Sequence, residues 1–143
     1  MNLFHTFKDD SELNTKVYYF LSERGLPGSV ILYNNESDER LWDKNFFAQA
    51  KYKKVFSPQW TLQAQGKYNY SWNKYEDTGV EYVGGKQTDT NRQQEYYLSA
   101  AVLYRPIQGL SLSLAQDGFI NQLHTNGINS PEPIRYTLLT ALN

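Results

Sequence analysis

Residues Asn34 to Glu39, "NNESDE", set oxygen donors close together, and crowded carboxylate and amide oxygens are what a calcium ion takes as ligands. The run lacks the spaced ligands and the glycine of an EF-hand loop. A solvated acidic loop is therefore the reading preferred over calcium. His5 and His124 share no helical or hairpin spacing that would bring them to one metal, so each reads as a lone strand or loop residue. Glu23 and Arg24 precede "GLPG". They read either as a ligand-binding pair at a cavity mouth or, the preferred reading, as a charge pair at a wet strand end where Gly25, Pro27 and Gly28 shape a turn. Asp117, followed by Gly118, interrupts an apolar alternation. It reads as a bulge that re-aims a side chain or, more plainly, as a carboxylate on a polar strand face. "GVEYVGGKQ", residues 79–87, has paired glycines but not the strand-to-helix context of a phosphate loop.

The chain has no cysteine, which leaves no disulfide framework, thiolate metal site or cysteine nucleophile. No Ser-His-Asp set or paired-carboxylate site can be assembled. The expectation is a protein that is not an enzyme, with no catalytic residue, no metal and no cofactor. A net charge of -1 and a pI of about 6.1 give no basic footprint for nucleic acid.

The elements that position these residues are strands. Helical periodicity is weak, whereas period-two alternation recurs at Thr15 to Glu23, Lys44 to Phe56, Thr61 to Tyr75, Gln93 to Arg105, Leu110 to Leu123 and Arg135 to Leu142. "LFHTF" near the start reads as the tail of a further strand. In the third of these, Leu62, Ala64, Gly66, Tyr68, Tyr70 and Trp72 alternate with Gln63, Gln65, Lys67, Asn69 and Ser71. Beyond Leu114 the alternation of the fifth slips, and its register is open.

Connections of two kinds alternate along the chain. "SPQ" and "PIQG" are short, with proline where no ladder donor is needed. The connections that hold "GLPGSVILYNNESDE", "GVEYVGGKQ" and "TNGINSPEP" are long. Short turns at one end and long loops at the other are the pattern of an outer-membrane barrel. Aromatic side chains at the ends of the apolar faces (Trp60, Tyr104, Tyr68, Tyr70, Trp72) suit interfacial girdles. No run approaches the roughly 18 apolar residues of a membrane helix, and a mean hydropathy of -0.67 is compatible with alternating barrel strands. The opening "MNLFHTFKDD" lacks the features of a signal peptide, which points either to a cytoplasmic protein or to a start that lies upstream. Six or seven strands cannot close a lumen-bearing barrel, since the smallest single-chain barrels have eight, so a section of something larger is expected.

Two runs, "VYYFLSERGLPGSVILYNNESDERLWDKNFFAQAKYK" (Val17 to Lys53) and "QQEYYLSAAVLYRPIQGLSLSLAQDGFINQL" (Gln93 to Leu123), resemble the barrel of TonB-dependent outer-membrane receptors of the Bacteroidetes type. "SERGLPG" together with "RLWDKNFF" carries the likeness, which extends from about Lys16 to the end. The resemblance implies a 22-stranded transmembrane barrel around an N-terminal plug, driven by the TonB complex. It implies import of large scarce nutrients such as cobalamin, iron chelates or glycans. The plug, the TonB box and the closing C-terminal strand have no counterpart in this sequence, so the expectation for residues 1–143 is one partial barrel domain.

The fold expected is thus all-β, an antiparallel meander of about six long strands forming a portion of that barrel. The expected location is the outer membrane of a Gram-negative bacterium. The expected partners are outer-membrane lipid, the plug and remaining barrel of the receptor, the TonB complex through that plug, and a small-molecule nutrient. Nutrient contact would fall to loop and lumen aromatics such as Tyr33, Trp42, Tyr75 and Tyr82. The alternative is a soluble all-β module that binds carbohydrate or lipid through aromatic loops.

Overall fold

A computed structural model describes residues 1–26, 38–78, 85–126 and 132–142. They form one antiparallel sheet of seven strands in chain order. The strands are β1 (Asn2–Thr6), β2 (Glu12–Leu26), β3 (Glu39–Val55), β4 (Trp60–Asp77), β5 (Gln87–Ile107), β6 (Leu110–Thr125) and β7 (Ile134–Leu142). The expected meander is present, and Leu3 to Thr6 of "LFHTF" belong to a further, N-terminal strand, β1. At 18 and 21 residues, β4 and β5 far exceed the five or six common in globular sheets.

Each tight turn has a local cause. In the first, Phe7 and Ser11 close the chain through a 2.8 Å backbone bond, and Asp10 adopts a φ of 58°, a left-handed conformation that Asp tolerates better than most residues. In the second, the Ser57 hydroxyl accepts from the backbone amides of Gln59 and Trp60. In the third, Gly109 supplies a φ of 86°, which a side chain would disfavour.

The strands run further than alternation alone indicated, and two expectations are corrected. Gly25 is a strand residue opposite Arg40, not part of a turn; Pro27 and Gly28 lie outside the described residues. Of the two readings of Asp117, the preferred one agrees with the structure: it is a carboxylate on the polar face, no bulge occurs there, and the register is continuous from Leu112 to Thr125. Gln116 and Gly118 simply occupy the apolar face, because ladder hydrogen bonds do not depend on side-chain polarity. The sheet's one register shift lies instead between Tyr104 and Ile107, where Pro106 has no amide to donate. Finally, Glu23 and Arg24 are not a pair. Adjacent residues of a strand point to opposite faces, and Glu23 meets Arg40 at 3.0 Å while Arg24 meets Asp43 at 2.9 Å.

The turns are staggered. The first closes at Thr6–Glu12, in the same cross-strand row as Lys53, Gln63 and Ala101; the third closes at Ile107–Leu110. From Ala101 to Ile107 the chain advances about 20 Å, across four strand spacings of about 19 Å in total. A plane through the turns is therefore crossed by strands tilted about 45° from its normal, at the upper end of the tilt that closed barrels use.

The sheet has no second layer among the described residues, and no hydrophobic side chain is buried there. One face carries Val17, Tyr19, Leu21, Phe46, Leu62, Leu98, Leu114, Ile120 and Leu138. Leu98 is 68% exposed and Tyr136 67%. On the other face the side chains shade one another, so that Ser113, Ala115, Asp117 and Phe119 are half-buried while Leu112, Leu114 and Ile120 are exposed.

Candidate functional site

The two faces offer different chemistry. The polar face is a set of cross-strand bridges that follows directly from the register. Gln65, Ser99 and Asp117 share a row, and Tyr97 stands one row away. Gln65 donates to the Tyr97 hydroxyl at 3.4 Å, and that hydroxyl donates to Asp117 at 3.1 Å. Lys67 donates to Glu95 at 3.3 Å, and Gln93 donates to both Glu95 and Asn121. Asn91 donates to Asn73 at 3.0 Å. Phe47 lies between two lysines, Lys16 at 5.9 Å and Lys67 at 6.0 Å from its ring. Half-exposed polar groups of this kind satisfy one another across strands and still present donors and acceptors to water.

The apolar face is graded along the strands. Next to the tight turns Trp60 stacks on Tyr104, centroids 4.2 Å apart. Leu62, Ala64 and Gly66 follow along β4, opposite Val102, Ala100 and Leu98. Towards the long connections Tyr68 packs near Phe46 and Tyr96 at 6.1 and 5.0 Å. Gln94 sits on this face opposite Tyr70 and accepts from the hydroxyls of Tyr68 and Tyr96, so its polarity is matched. Lys54, at the turn end of the same face, reaches Asp9 at 2.6 Å. Its aliphatic stem thus covers apolar surface while its charge stays at the rim.

That ion pair carries a pH dependence. The Lys54 ammonium and the Ser11 hydroxyl and amide hold the Asp9 carboxyl well below the usual carboxylate range, and Asp9 in turn raises Lys54. A depressed acid contributes stability above its unfolded pKa of about 4 and loses it as pH falls; a raised lysine contributes below about 10.4 and loses it as pH rises. The tether therefore contributes fully between those limits and weakens progressively beyond them. Asp9→Asn is expected to speed amide exchange at Phe7 and Ser11 at pH 7, by a margin that shrinks progressively as the pH falls below about 4. An unchanged exchange rate at pH 7 removes the tether from the account.

The candidate residues named from sequence do not converge. Asn34 to Ser37 lie outside the described residues, while Asp38 accepts from Thr78 at 3.4 Å and Glu39 stands opposite Asp77. His5 makes an edge contact with Phe7 at 4.5 Å, and His124 lies on β6 opposite Arg92. No group of three His, Cys, Asp or Glu is placed to hold a metal among the described residues. Residues 79–84 of "GVEYVGGKQ" are not described, but the segment joins β4 to β5, strand to strand. Lys86 within it lies 3.5 Å from Glu76, which is also 2.6 Å from Lys74, and these ammonium groups lower the Glu76 pKa. Of the four aromatics, Tyr33 and Tyr82 lie outside the described residues. Trp42 and Tyr75 are strand residues on opposite faces, Trp42 beneath Lys74 at 4.9 Å and Tyr75 opposite Asp89. Compared with models of known protein families and with characterised proteins, the sequence finds no match.

Sequence reasoning missed the Gln65–Tyr97–Asp117 chain and the direct opposition of Trp72 to both Lys44 and Arg92. Alternation tells which face a residue occupies; which residues become neighbours is a matter of register.

Proposed function

We propose that this chain is a section of the wall of an outer-membrane β-barrel, in a TonB-dependent receptor that imports a large scarce nutrient such as cobalamin, an iron chelate or a glycan. One observation carries the barrel reading: a single sheet, without a buried hydrophobic side chain among the described residues, bears on one face an exposed apolar band between two aromatic ends. On β4 the band runs from Trp60 to Tyr70, about 33 Å along the strand. At a tilt of about 45° that is roughly 23 Å of height, against about 25 Å for the apolar band of outer-membrane barrels. The staggered turns and the segregation of short from long connections support the same reading.

In this reading the apolar face meets outer-membrane lipid and the hydrogen-bonded face meets the lumen. Strands of the same receptor continue the sheet past β1 and β7, since an open edge in hydrocarbon leaves backbone groups unsatisfied. The nutrient passes along the polar face and contacts the loops, and the TonB complex acts through the receptor's plug. The receptor assignment rests on the likeness of Val17 to Lys53 and Gln93 to Leu123. A soluble carbohydrate- or lipid-binding module would need a second layer over Leu98, Leu114 and Leu138, and no described residue supplies it.

The three tryptophans allow a test in phosphatidylcholine vesicles. Bromine placed near the headgroup is expected to quench Trp60 and Trp72 more than bromine at the chain end, and a tryptophan introduced by Leu98→Trp should reverse that order. Quenching of none of them by either lipid overturns the proposal.

A further inference from the structure

Five cations of β3, β4 and β5 stand on the apolar face: Arg40, Lys44, Lys54, Lys74 and Arg92. Three have carboxylate partners, namely Arg40 with Glu23 at 3.0 Å, Lys54 with Asp9 at 2.6 Å and Lys74 with Glu76 at 2.6 Å. Lys44 and Arg92 have none among the described residues. Both lie directly opposite Trp72, one on each side, so they stand about 10 Å apart across the indole. Lys44 rests over that ring at 4.7 Å, and His124 continues the row beyond Arg92. A shallow surface depression of about 410 Å³ lies beside this row, lined by Tyr70, Trp72, Thr90, Arg92 and His124, with Lys44 on the far side of the indole. Its outer wall is held by Asn126, which donates to the Thr88 carbonyl at 2.8 Å and accepts from the Thr90 amide at 3.1 Å.

Further along the same face lies an apolar groove of about 810 Å³, with Ala48, Ala50, Gly66 and Gly118 in its floor and Tyr68 and Leu98 beside it. Trp72 to Gly66 is about 20 Å along the strand, or about 14 Å of depth at the tilt derived above. That is close to half of a hydrocarbon core of about 30 Å, the depth that one leaflet's acyl chains fill.

We propose that Lys44, Arg92 and His124 form a site for the phosphate of a phosphorylated membrane lipid, whose acyl chain lies in the Gly66 groove. The inference rests on the reading of this face as lipid-facing. Charge complementarity selects the occupant. Two cations without a carboxylate sit beside an aromatic belt, at the level where lipid headgroups lie, and an anion there offsets the cost of holding them against an apolar surface. A free phosphate would use the cations but not the groove.

The test uses the whole chain in bilayers of phosphatidylcholine with and without phosphatidic acid, followed by native mass spectrometry of lipid retained through detergent extraction. Selective retention of phosphatidic acid is expected. Lys44→Ala and Arg92→Ala should each lower it about fivefold, Arg92→Lys should preserve it, and Gly66→Leu should reduce it by filling the groove. Lys51→Ala, on the opposite face, should leave it unchanged. Equal retention of the two lipids, or displacement of phosphatidic acid by inorganic phosphate, overturns this inference alone. A chain that associates with neither bilayer overturns the wall reading and this inference with it.

Discussion

Leu98→Arg is expected to destabilise the chain in a bilayer by about 2–4 kcal/mol, the cost of an arginine at mid-depth on a lipid-facing strand. Ser99→Arg, one residue on, should stay within about 0.5 kcal/mol. The two positions share a strand, a backbone conformation and the same flanking strands, β4 and β6. They differ in face. Leu98 lies in a row with Gly66 and Gly118, midway between the aromatic ends, and is 68% exposed. Ser99 faces Gln65 and Asp117, which suit a guanidinium. The contrast is diagnostic because in water an arginine at an exposed leucine costs almost nothing. Urea unfolding from vesicles, followed by tryptophan fluorescence, measures both variants. Equal and near-zero effects would sink the lipid-facing reading.

Removal of detergent should have a comparably large effect. The apolar face leaves Tyr19, Leu21, Leu114, Leu138 and Leu142 exposed, a continuous patch of the kind monomeric soluble proteins avoid. β1 and β7 each pair on one side only and present unpaired amides and carbonyls, a template for further strands. The chain is expected to stay dispersed in detergent micelles and to form large β-rich aggregates once the detergent is dialysed away. A monodisperse monomer in plain buffer would instead favour a soluble binding module.

Both expectations follow from features legible in the sequence to different degrees. The strands were legible because period-two alternation is local. Thr61 to Tyr75 shows its two faces by inspection, and the structure extends it by only one residue before and two after, to Trp60–Asp77. Ends were less legible where polar residues continue a strand. Gln87 to Arg92 alternates nothing apolar, yet it pairs along its length with the end of β4. Its pairing there is dictated by its neighbour rather than by its own composition. Asp117 was legible in its plainer reading, a carboxylate on the polar face, and it needs no bulge because Tyr97 can donate to it.

By itself, then, the sequence determined the class of fold, the identity of six strands, the two faces where alternation is unbroken, as in Thr61 to Tyr75, and the placement of tight turns at one end. These properties depend on neighbours along the chain: side chains alternate with a period of two, and serine, proline and glycine punctuate the turns. Only the tertiary structure decided that Trp60 stacks on Tyr104, that Glu23 and Arg24 part to opposite faces with separate partners, and that Lys44 and Arg92 flank Trp72. It also set the stagger of the turns, and hence the tilt. Register is a property of strand pairs, accumulated from turn lengths and cross-strand contacts over the whole sheet, and a one-residue change in any turn would pass every such neighbour to another partner.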